Sequence, residues 1–116
     1  MLTVSRDSVI VVLVVIEATW TLDELGARVK DALATGYVAP GSARVRAVPD
    51  ARTIRYYTTL GLIDRPALQG RTALYGERHL LQLVAIKRLQ ADGLTLTQVQ
   101  ERLGGLPEHE LRALAR

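Results

Sequence analysis

The chain has 116 residues, 48% of them hydrophobic and none of them cysteine; this fits one domain able to bury a core and excludes disulfides, thiolate metal sites and cysteine redox chemistry. The net charge is +3 and the sequence pI is near 9.7, but the charge is unevenly placed. Nine basic residues face three acids between Arg44 and Arg88, which leaves the rest of the chain at −3; a basic centre between mildly acidic flanks is the sequence form of a phosphate-binding face, with an ordinary solvated surface as the plain alternative.

The first element is the apolar run Val9–Ile16 (VIVVLVVI), in which seven of eight residues are β-branched. β-Branched side chains are stiff at χ1 and favour a strand, and unbroken hydrophobicity predicts a strand covered on both faces. Eight residues are too few to span a bilayer as a helix, which needs about 20. Arg6 is offset by Asp7 and no small-residue cleavage site follows, so neither a membrane span nor a signal peptide is expected and the chain reads as soluble and cytoplasmic.

A first helix is expected from Thr21. Thr21 and Glu24 have the spacing of a capping box, Trp20 and Leu25 that of a hydrophobic staple, and Leu22, Leu25, Val29 and Leu33 recur at helical spacing. Gly36 is the expected stop. Residues 37–49 carry the turn signal Ala39-Pro40-Gly41-Ser42 and the alternating stretch Arg44–Val48, which predicts a half-exposed strand.

Asp50 should cap a second helix from Ala51 to about Thr59, closed by Leu60-Gly61-Leu62. Residues 62–75 read as two short strands around a loop marked by Pro66 and Gly70 and flanked by Arg65 and Arg71. A third helix is expected over Glu77–Ala91, with Leu80, Leu81, Val84 and Leu89 at helical spacing, Leu83 and Ile86 broadening the stripe, and Gly93 ending it. Thr95 and Gln98 form a second capping box, with Leu94 and Val99 as its staple. They open a fourth helix that stops at Gly104-Gly105, and Pro107 suits the first turn of a last helix from Glu108 to Arg116.

The informative segment is Ala51–Leu62, ARTIRYYTTLGL. On a helix Arg52, Arg55 and Tyr56 come within reach of one another, while Ile54 falls on another face and anchors to the core. Arginine can read guanine edges or grip phosphates, and tyrosine hydroxyls bond phosphates and fix register. An ordinary amphipathic helix with half-buried tyrosines is the competing account.

TIRYYTTLGLI, the basic wing ending in Leu74-Tyr75, and IKRLQADGLTLTQVQERL together resemble the MerR family, over about Trp20–Leu103. The resemblance implies a mainly α, winged helix-turn-helix fold of four to five helices with a small two-stranded wing, to which this chain adds an N-terminal β-strand. Residues 1–19 would be that strand, 20–104 the DNA-binding domain and 105–116 a short C-terminal helix. It implies a transcription regulator, not an enzyme, that binds promoter DNA with residues 50–60 in the major groove and residues 62–75 alongside, without a cofactor and with RNA polymerase as a further partner. Arg55 would be the main contact, and Arg71 would reach the neighbouring groove or backbone from a tight turn allowed by Gly70. Thr53 would contact or support a phosphate, Tyr56 and Tyr57 would divide between DNA and core in an order left open, and Arg52 and Arg65 would be lesser contacts. Some proteins with this fold serve instead as protein-interaction adaptors, for example modulators of J-domain co-chaperones.

The chain departs from the family pattern in three places. Residues 37–49 intervene between the first two helices, where Arg44 and Arg46 could add backbone contacts. The sequence reaches Arg116, about ten residues into any long dimerisation helix, and neither an effector domain nor a cysteine cluster is expected. Val9–Ile16 could therefore form the dimer interface across a two-fold axis, or pair with residues 44–48 within one subunit. His79 and His109 lack a ligand cluster and are expected at the surface or at helix ends. Ser5, Ser8 and Ser42 lack a neighbouring base, and Glu108 and Glu110 complement a helix dipole.

Overall fold

The computed structural model describes residues 19–34 and 48–115. The apolar run at 9–16, residues 44–47 of the alternating stretch, Gly36 and the Ala39–Ser42 turn lie outside the described residues, as do Arg44, Arg46 and the cross-subunit pairing expected for 9–16.

Five helices and one hairpin occupy the described residues: α1 (Leu22–Ala34), α2 (Ala51–Leu60), β1 (Ala67–Gln69), β2 (Thr72–Leu74), α3 (Glu77–Ala91), α4 (Leu96–Leu103) and α5 (Glu108–Leu114). Their boundaries follow local chemistry. At α1 the Thr21 N–H donates to Glu24 Oε1 at 2.8 Å and the Glu24 N–H to Thr21 Oγ1 at 3.3 Å, so two otherwise unpaired donors are satisfied reciprocally. The same exchange links Thr95 and Gln98 ahead of α4, at 2.9 and 3.2 Å. Asp50 Oδ1 accepts from the Thr53 N–H at 2.8 Å to start α2. Gly61 ends it in the left-handed region (φ 77°), a conformation that costs a residue with a Cβ about 1–2 kcal/mol. At α3 the side chain of His79 turns back, its Nδ1 accepting the Gly76 N–H at 2.9 Å, which makes this histidine a cap.

The core lies between α1 and α3. Leu25, Val29 and Leu33 of α1 meet Leu83, Val84, Ala85, Ile86 and Leu89 of α3, and Ile54, Tyr57, Val99, Leu103 and Leu111 join from the remaining helices. Helix α3 touches α1, α4 and α5. It departs from the single stripe expected of it: Leu80 and Leu81 are only partly buried, whereas every residue from Gln82 to Lys87 is buried. A helix enclosed by three neighbours has no solvent face in its middle, so Gln82 and Lys87 are drawn inside with their apolar companions. Burial lowers the pKa of the Lys87 ammonium.

The hairpin also differs in detail. Its register pairs Ala67 with Leu74, Leu68 with Ala73 and Gln69 with Thr72, so the connection is the two-residue turn Gly70-Arg71. Gly70 has φ 64°, as the first central position of a type II′ turn requires. Arg71 therefore sits in the turn itself, and Pro66 and Arg65 stand at the root of the hairpin. Beyond β2, Tyr75 pairs with Trp20 through two backbone hydrogen bonds of 2.7 Å, so the segment ahead of α1 is stitched to the base of the hairpin. The Arg28 guanidinium lies 5.1 Å from the centre of the Trp20 ring. Helices α1 and α2 pack together with the hairpin following, and the whole is a mainly α winged helix-turn-helix.

Candidate nucleic-acid interface

Helix α2 has two faces. Ile54 and Tyr57 are buried, three residues apart on the inner side. Arg52, Arg55, Tyr56 and Thr59 are exposed and recur at the three- and four-residue spacing that lines up one outer face. The helix contains no acid; the nearest, Asp50, is engaged as its cap, and its pKa is lowered mainly by hydrogen bonding to Thr53.

The adjacent tyrosines take opposite directions. Tyr57 is 6% exposed and Tyr56 is 54% exposed. Burial raises the Tyr57 phenol pKa, and a hydrogen bond with the side chain of Gln90 partly offsets this. Thr53 is half-buried and its backbone N–H is occupied by Asp50, so only its side chain remains for an outside contact.

The wing supplies the second part of the surface. From Ala67 through Thr72 every residue is exposed, with Leu68 at 72%. The strand sequences ALQ and TAL carry no charge, so the positive charge of the wing is concentrated at its tip, Arg71, and its root, Arg65. Between root and helix lies an open cleft lined by Thr58, Thr59, Arg65, Pro66 and Leu68. Thr58 Oγ1 donates to the Ile54 carbonyl at 2.9 Å and Thr59 Oγ1 to the Arg55 carbonyl at 3.1 Å, so neither hydroxyl has its proton free. The Arg65 guanidinium is thus the charged group of this cleft. Among the described residues no salt bridge ties Arg52, Arg55, Arg65 or Arg71, whereas the acid beside the wing, Asp64, is held by Arg78. Four exposed cations on two neighbouring elements form a positive surface whose charge is not cancelled locally.

Seven of the nine residues expected to meet DNA fall within the described part. Arg52, Arg55, Tyr56, Arg65 and Arg71 lie exposed on α2 and the wing, Thr53 is half-buried beside them, and Tyr57 belongs to the core. Sequence reasoning passed over Asp64, Arg78 and Gln82, which are joined by hydrogen bonds just ahead of the wing. Gln82 had a signal, being an amide set between Leu81 and Leu83; Arg78 and Asp64 had none beyond their charge.

No helix among the described residues is long and apolar enough to cross a membrane, and no group of three or more His, Cys, Asp or Glu among them could hold a metal ion. Nothing among curated proteins or solved structures matches the chain significantly. The family model for MerR HTH regulatory proteins matches residues 48–106, which takes in α2, the wing, α3 and α4 and spans half of the chain. With that match lying over the two-faced helix and its adjoining wing, the chain belongs to the MerR helix-turn-helix family of regulatory proteins.

Proposed function

We propose that this protein is a sequence-specific transcription regulator that binds promoter DNA as a dimer, with α2 in the major groove and the wing alongside. The observation that carries this reading is the division of α2 into a buried row, Ile54 and Tyr57, and an exposed row, Arg52, Arg55 and Tyr56, next to a wing that holds Arg65 and Arg71. In the proposed complex Arg55 is the central contact, to a base edge or a phosphate. Arg52 and Tyr56 grip the backbone on either side, Thr53 adds a side-chain contact, and Arg71 reaches the next groove or phosphate. Arg44 and Arg46 add backbone contacts, and Val9–Ile16 joins two subunits. The regulator works in the cytoplasm and acts by presenting promoter DNA to RNA polymerase in a usable or unusable form; it performs no catalysis.

Selection from a pool of random duplexes, followed by salt titration on the enriched site, tests this. A near-palindromic site is expected, with affinity falling steeply as salt rises because bound phosphates release counterions. Arg55→Ala should weaken binding by about 1–3 kcal/mol if it reads a base, or lower the salt slope by about one if it holds a phosphate. Absence of enrichment, with weak binding indifferent to Arg55→Ala, would overturn the reading and leave the protein-interaction adaptor in its place. Sedimentation of the wild type and Val12→Asp tests the dimer; a monomeric wild type rules it out.

A further inference from the structure

At the base of the wing, four hydrogen bonds converge on a small group of side chains. Arg78 Nε donates to Asp64 Oδ2 at 2.6 Å, and Gln82 Nε2 donates to Asp64 Oδ1 at 3.1 Å. The Gln82 Oε1 atom accepts the Asp64 N–H at 3.0 Å, so both ends of one amide are spent on one residue. The second arm of Arg78 reaches away: its terminal nitrogen donates to the Leu106 carbonyl, in the turn between α4 and α5, at 2.8 Å. Asp64 immediately precedes the root of the wing, whereas Arg78 and Gln82 stand on α3, one helical turn apart and therefore on one face. The planar guanidinium is suited to hold two acceptors at a fixed angle, which a lysine ammonium is not.

We infer that Arg78, with Gln82, is a positioning residue for DNA binding: it fixes the attitude of the wing against the helical body and so sets where Arg71 falls relative to α2, without touching DNA itself. The inference rests on the DNA-binding reading above. Without this bracket the base of the wing would be held after its second strand by the Trp20–Tyr75 bridge, and ahead of its first by the buried side chains of Leu62 and Ile63 and the 3.4 Å contact of His79 Nε2 with the Arg65 carbonyl. A two-stranded ribbon with three residues per strand does not hold its own direction in water. Anchoring the root from both α3 and the α4–α5 turn converts it into a rigid projection, and rigidity is what allows one arginine at its tip to contribute to affinity.

Two measurements on the full chain test this. In the first, hydrogen exchange of the free protein is followed in Arg78→Ala. Wing amides from Leu68 to Leu74 should exchange faster while those of Leu25 and Val29 in the core stay as protected as in the wild type. Unchanged wing exchange, or equal acceleration in core and wing, would overturn the inference, since the second pattern is plain loss of stability. In the second, DNA affinity is compared in a double-mutant cycle. Arg78→Ala should weaken binding by about fivefold in the wild type and by less than about twofold in an Arg71→Ala background, whereas its effect should persist in full beside Arg55→Ala. Equal effects in all three backgrounds would overturn it. Asp64→Asn, which keeps the shape and removes the charge from the other side of the bracket, repeats both measurements should Arg78→Ala fail to fold. If the wild type binds no duplex, the DNA-binding reading fails by itself, and the exchange pattern still decides whether Arg78 holds the wing.

Discussion

Neighbouring residues of one type do different work here, and Tyr56 and Tyr57 show it most plainly. One peptide unit of a helix turns a side chain by about 100°, enough to place one phenol outside and the next against the core. Tyr56→Phe should therefore leave the melting temperature unchanged and weaken DNA binding by about 0.5–1.5 kcal/mol, the worth of one hydrogen bond. Tyr57→Phe should do the reverse, leaving affinity intact and lowering stability by about 1 kcal/mol through the partner lost to Gln90; parallel titration and melting of the two variants separates them. The arginines were legible as a group because they recur at helical spacing around an aliphatic anchor. The division between the tyrosines was not, because both are amphipathic and either could lie on the boundary of the apolar stripe. Arg78 was illegible for another reason: the partners that define its role, Asp64 and the Leu106 carbonyl, are distant in the chain and are brought to it only by packing.

Capping carries much of the definition of the individual elements, and at α1 and α2 it does so with carboxylates. Hydrogen bonds to Thr21 lower the pKa of Glu24, and those to Thr53 lower the pKa of Asp50. At Asp64 burial pushes the pKa up, but hydrogen bonds from Gln82 and Arg78, with the charge of Arg78, more than offset it and the net shift is downward. A carboxyl whose folded pKa is depressed stabilises the protein above its unfolded value, about 4, and loses that contribution as pH falls through the folded value. The melting temperature should accordingly fall as pH is lowered below about 4. Asp50→Asn keeps a capping oxygen without the charge and should make that fall shallower; an unaltered profile would mean that Asp50 contributes nothing through its ionisation. The two capping boxes are readable as Thr-x-x-Glu and Thr-x-x-Gln, since a capping box is purely local. The wing was readable in outline and misplaced in detail: Pro66 and Gly70 both carry turn chemistry, and only the pairing of Gln69 with Thr72 shows that Gly70-Arg71 alone makes the turn.

For the whole molecule the decisive element is α3, enclosed by α1, α4 and α5. Its last neighbour is fastened at three levels: Leu111 is fully buried, Arg112 reaches Glu77 at 2.9 Å, and Arg78 reaches the turn ahead of α5. The ion pair is half-exposed and adds little, whereas the leucine fills space in a close-packed interior. Leu111→Ala should cost about 2–5 kcal/mol in chemical denaturation, while Arg112→Ala should cost less than about 1 kcal/mol. The dense apolar spacing of α3 made its central place foreseeable, although the inward turn of Gln82 and Lys87 needed all three neighbours in position. The bridge between Trp20 and Tyr75 bears on the order of events when the chain folds. A hairpin of two three-residue strands does not persist alone, and its base is closed here by a partner from the opposite side of α1 and α2 in the chain. Contacts between distant segments are slow to form because loop closure must precede them. The wing therefore completes last, after α1 has docked on α3, and the recognition surface becomes whole only when the rest of the protein already is.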